Sequence, residues 1–226
     1  MGEILLLILD YSEVWATLIP LIILLFRKEQ PSNLKPVIVY VWLALFINIL
    51  IDLIMGFKAY LPAWLQSNNP YYNVLSLVRF FCFSIFFIKL PGDSFISIRR
   101  VLPVISLAFL VINFGFFEKF FDSDRLSGNL LSAEAYLLLI YCLLFYLAEL
   151  RKESVELFSG PYFWVVTGLS IYVVVNFFVF LFYLPMLNVN LNLSVDMWNV
   201  HNIAYIIFCI FIAKAFYVSP GHQYSI

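Results

Sequence analysis

The stretch VIVYVWLALFINILIDLIMGF, residues 37–57, decides the fold of this chain. It carries one charged side chain, Asp52, in a run long enough to cross a hydrocarbon layer roughly 30 Å thick. Backbone groups must be satisfied within each segment in lipid, so such a run is expected to be helical. Similar blocks recur, and we predict transmembrane helices at about 4–26, 37–57, 72–88, 101–117, 130–148, 162–183 and 197–217.

The composition supports this prediction along the whole chain. The 226 residues are 64% hydrophobic and 12% charged, whereas soluble domains average about 45–50% apolar and about 25% charged. We therefore predict an all-α fold, a polytopic bundle of seven transmembrane helices that forms a single domain over residues 1–226. The net charge is −1 without a Lys/Arg run, which excludes nucleic acid as an obvious partner and leaves the lipid bilayer.

The distribution of cationic residues predicts the orientation of the bundle. Three of them, Lys58, Lys119 and Arg125, fall in the loops of one side. Because cytoplasmic loops are enriched in Lys and Arg, we expect the N-terminus outside and the C-terminus in the cytoplasm, in the inner (cytoplasmic) membrane of a bacterium. The nine residues on the other side are Arg27, Lys28, Lys35, Lys89, Arg99, Arg100, Arg151, Lys152 and Lys214.

The first block contains a polar interruption, Asp10-Tyr11-Ser12-Glu13. Two interpretations are open. The interruption lies inside one continuous crossing, or it caps a shorter helix that begins near Tyr11, with residues 4–9 lying along the membrane interface.

The three cysteines, Cys82, Cys142 and Cys209, all fall inside apolar blocks. An odd number, the lack of a CxxC motif and burial in lipid disfavour both a disulfide framework and a metal site. We expect no metal and no cofactor.

A faint internal repeat relates the two halves of the chain. Both copies run in the same sense, so helices 1–3 and 5–7 would form a 3+1+3 arrangement of parallel repeats with helix 4 as a linker. The repeat matches Arg27, Pro36, Pro62, Asn73 and Cys82 with Arg151, Pro161, Pro185, Asn199 and Cys209.

Polar side chains inside the apolar blocks are the main functional signal. Arg79 falls well inside the third block, where a lone Arg costs about 2.5–3.5 kcal/mol on insertion scales. It is expected to face the protein and to pair with a carboxylate, with Asp52 and Glu13 favoured. The predicted topology brings eight polar residues into the outer half of the bundle: Glu13, Asn48, Asp52, Arg79, Glu134, Asn176, His201 and Asn202.

Two interpretations of this layer are open. In the first, it binds a small polar or amphiphilic ligand from outside, above a dry floor of aliphatic and aromatic residues. The alternative is a purely structural network that fixes helix register. No catalytic residue is assigned under either interpretation.

The architecture resembles the superfamily of opsins and of SWEET-type and PnuC-type transporters. The residues Pro161-Tyr162-Phe163-Trp164, Gly168, Tyr172, Asn176, Trp198 and His201-Asn202 also resemble a pattern in short bacterial seven-helix proteins, which are similar to the membrane sensor modules of bacterial signalling systems. This resemblance implies no catalytic residue. A sensing or binding module of this size is expected to act through a cytoplasmic or membrane signalling partner, because the predicted cytoplasmic loops are too short for an effector.

Other functions are weighed by the residues that each requires. Retinal binding needs a Lys in the middle of the last helix, and Lys214 lies at its end. A zinc hydrolase needs about three His ligands, and the blocks contain only His201. A small-solute transporter of the 3+1+3 type, and then an intramembrane aspartate-based hydrolase, remain as alternatives.

Overall fold

The structure, a computed structural model, describes residues 2–62, 65–92, 94–123, 125–151, 160–187 and 189–219. All of its regular elements in these ranges are helical. The α-helices are α1 (Gly2–Asp10), α2 (Ser12–Phe26), α3 (Lys35–Gly56), α4 (Asn69–Lys89), α5 (Ile96–Ile112), α6 (Gly128–Leu150), α7 (Pro161–Leu187) and α8 (Leu191–Val218).

Six helical segments are long and apolar enough to cross a membrane, which indicates a membrane protein. They are Ser32–Gly56, Asn69–Lys89, Ile96–Phe117, Gly128–Leu150, Pro161–Tyr183 and Leu191–Val218, and the apolar helix α2 is shorter. The Ile96–Phe117 segment comprises α5 and a π-helical turn, Asn113–Phe117.

Several helices extend beyond the predicted apolar blocks, because polar first turns also form helix. The predicted start of α4 at residue 72 is three residues late, since Pro70 lies in the first turn, where a missing N–H costs nothing. The predicted start of α8 at residue 197 is also late. Its helix begins at Leu191, and the Asn190 side chain caps it by accepting a hydrogen bond from the Leu193 N–H at 3.2 Å.

The most consequential difference between the predicted and observed boundaries concerns Arg99. We assigned it to a loop, but α5 begins at Ile96, and Arg99 is a buried residue of the first turns of that helix. Lys152, which was counted on the same side, lies outside the described residues.

The first predicted block is two helices that meet at Tyr11, so a shorter helix does begin near this residue. The position of residues 4–9 along a membrane interface stays a prediction. No side chain caps α2. Instead, the carbonyl groups at the end of α1 accept bonds from other side chains. Trp15 Nε1 donates to the Ile8 oxygen at 2.9 Å, and Asn202 Nδ2 donates to the Leu9 oxygen at 3.0 Å, which satisfies acceptors that a helix end leaves open.

The helices pack in a ring in the order α2, α3, α4, α6, α7 and α8, and α8 closes the ring on α2. Helix α5 lies outside the ring against α4 and α6. We call the end of the bundle where α2, α4, α6 and α8 begin the Asp10 end, and the opposite end the Arg27 end.

The centre of the ring is filled with aromatic side chains on the Arg27 side of the polar layer. Tyr40, Phe83 and Phe208 are fully buried, and the Phe83 ring centroid lies 5.1 Å from that of Tyr40 and 5.7 Å from that of Phe208. Helices α7 and α8 approach closely at Gly168, where a Cβ atom would lie 2.4 Å from Phe211 Cβ. We call the fully buried rings, Tyr40, Phe80, Phe83, Phe86, Phe87, Tyr141 and Phe208, the aromatic floor.

Candidate functional site

The structure brings together most of the polar residues that the sequence singled out. Seven of the eight are buried, and the other, Asp52, is half-buried near the end of α3. Among the described residues, Asp52 forms no recorded hydrogen bond or ion pair. The seven buried residues are Glu13, Asn48, Arg79, Glu134, Asn176, His201 and Asn202.

Arg79 faces the protein and pairs with a carboxylate, as predicted, but the carboxylate is that of Glu134 on α6. Arg79 Nε donates to Glu134 Oε1 at 2.5 Å, and a terminal nitrogen donates to Oε2 at 2.8 Å. Ser76 donates to the same Oε2 at 2.6 Å, and the guanidinium carbon lies 4.9 Å from the Tyr172 ring centroid. This bidentate geometry is the strong form of a charge-assisted pair.

The favoured partners Asp52 and Glu13 were therefore wrong. Their selection rested on equal depth along the helix axes, and depth alone does not say which helices are neighbours. In the ring α4 lies between α3 and α6, and its Arg79 face points to α6. Glu13 is occupied by a different set of partners.

Glu13 belongs to a second polar chain that crosses from α4 through α2 and α8 to α7. The Tyr72 hydroxyl donates to Glu13 Oε2 at 2.9 Å, and Glu13 Oε1 lies 3.1 Å from His201 Nε2. His201 Nδ1 lies 2.5 Å from Asn176 Oδ1, and Asn176 Nδ2 donates to the Tyr172 backbone oxygen at 2.9 Å. We call Tyr72, Glu13, His201 and Asn176 the relay.

The amide of Asn176 fixes the histidine tautomer. Because its nitrogen is bound to a carbonyl, its oxygen faces the imidazole and can only accept. His201 Nδ1 is therefore the donor in the bond to Asn176, and Nε2 faces the Glu13 carboxyl group.

The remaining buried amides bind backbone near the α1–α2 break. Asn48 Nδ2 donates to the backbone oxygen of Glu13 at 3.1 Å, and Thr17 Oγ1 donates to the same backbone oxygen at 2.6 Å. Asn202 holds the end of α1, as described above. These side chains stabilise the interruption rather than line a cavity.

A cavity of about 500 Å³ opens at the Asp10 end of the bundle. Its polar wall includes Asp10, Asn69, Arg125 and Asn199, and its aromatic wall includes Tyr183. None of the eight predicted residues lines it. We call this cavity the vestibule, and its full lining is Asp10, Asn68, Asn69, Tyr72, Arg125, Leu126, Tyr183, Leu187, Leu191, Ser194, Val195, Trp198 and Asn199.

Tyr72, Leu126 and Trp198 separate the vestibule from the polar layer. The same three residues also border a void of about 10 Å³ beside Arg79 and Glu13, room for one water molecule at most. The Tyr72 and Trp198 rings meet edge to face with centroids 5.3 Å apart, and the Trp198 centroid lies 5.1 Å from that of His201. The boundary is therefore one aromatic pair thick.

The sequence predicted seven of the buried polar residues but gave no indication of this boundary. Tyr72 has no role in the sequence-based prediction, and Trp198 enters it only through the resemblance to short bacterial seven-helix proteins. A hydroxyl that accompanies buried acids at the same depth was the available signal. Among the described residues, no group of three or more His, Cys, Asp or Glu side chains is arranged to hold a metal ion.

Comparison of the chain with protein-family models, with curated proteins and with solved structures yields no match.

Proposed function

We propose that this protein is a small-ligand sensing or binding module of the inner (cytoplasmic) membrane of a bacterium. It has seven membrane-spanning segments, of which the first is α2 extended by α1, and its N-terminus lies outside. The ring order supports the 3+1+3 arrangement, because α2–α4 and α6–α8 each form three consecutive neighbours in the ring, with α5 outside it as the linker. The vestibule then opens outward.

The observation that carries the proposal is the shared boundary between the vestibule and the relay. Tyr72 lines the vestibule and also donates to the Glu13 carboxylate. A ligand that draws the Tyr72 hydroxyl toward the vestibule removes a hydrogen-bond donor from Glu13. The hydrogen bonds of Glu13 with His201, and of His201 with Asn176 on α7, then change. Binding is thereby converted into a change in how α2, α7 and α8 are held together.

The vestibule favours a small polar or amphiphilic ligand. Asp10 and Arg125 offer one charge of each sign, the amides offer donors and acceptors, and Tyr183 and Trp198 offer aromatic faces. Such a lining suits a molecule with both an amine and an acidic group. The signal would pass to a cytoplasmic or membrane partner, since the described loops are too short to carry an effector.

The aromatic floor favours sensing over transport. A transported solute must pass the level of Tyr40, Phe83 and Phe208, all fully buried and in mutual contact. Uptake into proteoliposomes separates the two functions. Binding without uptake is expected.

The binding test uses the purified full chain and a panel of amino acids, small amines and small carboxylates. Thermal unfolding identifies the compounds that bind, and nitrogen NMR of the His201 ring reports coupling. Tyr72→Phe removes only the hydroxyl that joins vestibule to relay, and Tyr183→Phe is the matched control in the same wall. A binding compound should shift the His201 signal in the parent and in Tyr183→Phe, and leave it unchanged in Tyr72→Phe. An equal shift in all three proteins, or no stabilisation by any compound of the panel, contradicts the proposal.

Topology has its own test. Single cysteines at Asn68 and Ser123 should react with an impermeant maleimide added to whole cells, whereas those at Gln30 and Gly92 should not. A reversed pattern would place the vestibule on the cytoplasmic side.

A further inference from the structure

A second arginine, Arg99 near the start of α5, is as buried as Arg79 but far less well paired. Its side chain and backbone together are 2% exposed. The hydrogen bond that the structure records for its guanidinium is one contact of 3.4 Å from a terminal nitrogen to the Phe87 oxygen. Its Nε atom is buried without a hydrogen-bond partner among the described residues.

Such a cation is costly to bury, because its N–H groups lose their hydrogen bonds to water and form few hydrogen bonds within the protein. Its position is nevertheless fixed by the surrounding structure. The Tyr141 hydroxyl donates to the Arg99 backbone oxygen at 2.7 Å, and the Tyr141 ring stacks on that of Phe87 at 4.9 Å between centroids. The backbone of Arg99 is therefore held in place, and the charged group that acts on its guanidinium from within the protein is Glu149.

Arg99 lines a cavity of about 180 Å³ at the Arg27 end of the bundle. The cavity lies between the ends of α4 and α6 and the starts of α5 and α7, with Gly92, Ser94 and Gly160 on its polar side. A Cβ atom at Gly92 or Gly160 would meet nothing within 4 Å. The space beside the backbone is open at both glycines.

The surroundings favour an anion with an apolar extension. The starts of two helices, α5 and α7, lie at this end of the bundle, and the start of a helix favours negative charge. Lys89 and Arg151 are exposed at the same end. Phe145 and Phe163 form apolar walls, and Glu149 adds a carboxylate. That acid disfavours a bare polyanion and suits a phosphate that also carries a donor group.

We propose that this cavity binds a phosphate group, with the Arg99 guanidinium as its principal ligand. A guanidinium matches two phosphate oxygens at once, and basic pockets between helices at the cytoplasmic membrane surface are typical sites for lipid headgroups. The phosphate belongs either to a phospholipid headgroup at the interface or to a free phosphate compound. The experiment distinguishes these two sources.

The test measures thermal unfolding of the delipidated full chain in a phosphate-free sugar detergent. Three probes are added separately: inorganic phosphate, dihexanoyl phosphatidylethanolamine, and dihexanoylglycerol, which has the same acyl chains and no phosphate. Binding to the folded state raises the melting temperature, and a rise of about 5 °C at saturation is expected for the phospholipid. Dihexanoylglycerol should give no such rise, whereas a rise with inorganic phosphate alone identifies a free phosphate compound as the source.

The variants are Arg99→Gln and the matched control Arg100→Gln, whose arginine is adjacent and exposed. The phosphate-dependent rise should persist in Arg100→Gln and disappear in Arg99→Gln. An undiminished rise in Arg99→Gln overturns the proposal. So does equal stabilisation of the parent by dihexanoylglycerol and the phospholipid, or no stabilisation by either phosphate probe. If Arg99→Gln fails to fold, the comparison of the phospholipid with dihexanoylglycerol on the parent protein still tests the proposal.

Discussion

Arg79 and Arg99 are both buried cations of the same bundle, at 5% and 2% exposure, yet their surroundings differ completely. Arg79 has a bidentate carboxylate and an aromatic face, whereas Arg99 has one long bond to a carbonyl group. The Arg79 region is closed and complete, with a void of about 10 Å³ beside it, and the Arg99 region borders about 180 Å³. Burial therefore does not separate a structural cation from a binding cation, but the set of partners does.

The two ends of the bundle are organised accordingly. At the Asp10 end, the vestibule is separated from the buried charges by Tyr72, Leu126 and Trp198. At the Arg27 end, the buried charge itself lines the cavity. A ligand at the first end acts through an intermediate hydroxyl, and a ligand at the second end touches the cation directly.

The largest effect is expected from removing one member of the closed pair. Arg79→Ala should lower the free energy of unfolding by about 3–5 kcal/mol, because Glu134 is left as a buried, unpaired charge. Denaturant titration in mixed micelles measures the loss. The double variant Arg79→Leu with Glu134→Leu should be more stable than either single variant. A loss below about 1 kcal/mol for Arg79→Ala would show that water reaches this pair.

A variant that interrupts the relay should lose less free energy of unfolding than Arg79→Ala does. His201→Leu leaves the Glu13 and Asn176 oxygens without their imidazole partner, and about 1–3 kcal/mol of unfolding free energy should be lost. Tyr205→Phe is the control, because it removes only the hydroxyl that lies 2.8 Å from Thr17 Oγ1 and should cost about 0.5–1.5 kcal/mol. If the two variants are equally stable, Glu13 does not depend on His201.

Replacement of Arg99 by a neutral residue tests the difference between Arg79 and Arg99 most directly. In the absence of any phosphate compound, Arg99→Gln should change the unfolding free energy by no more than about 1.5 kcal/mol, because the side chain gives up one long hydrogen bond. Unfolding of the delipidated protein is the appropriate measurement. A loss as large as that of Arg79→Ala would mean that Arg99 has a strong partner within the protein.

The smallest effect is expected at Asp52, the partner that sequence reasoning favoured for Arg79. Asp52→Asn should alter the unfolding free energy by about 0.5 kcal/mol or less, since the half-buried carboxyl group has no recorded ion pair among the described residues. Glu134→Gln, measured in parallel, should cost several times more. If Asp52→Asn and Glu134→Gln lose the same unfolding free energy, Asp52 is also a counterion of Arg79.

The sequence was sufficient to predict the helical fold and seven of the buried polar residues, because apolar run length and the cost of polar groups in lipid are local properties. It could not identify the partner of Arg79, since that depends on the ring order that brings α4 beside α6. It also assigned Arg99 to a loop by hydropathy. The start of this helix carries Ser97, Arg99 and Arg100, so its mean hydropathy is as low as that of a polar loop. Hydropathy alone therefore could not show that the segment is helical.

The contact between Glu13 and His201 joins residues 188 positions apart, and this separation has a consequence for biosynthesis. At about 5–20 residues per second, Glu13 waits about 10–40 s before its imidazole partner is made. During that interval α2 holds an acid that its final neighbours cannot yet neutralise. A ribosome that stops before α8 therefore leaves a nascent chain in which Glu13 has no imidazole partner.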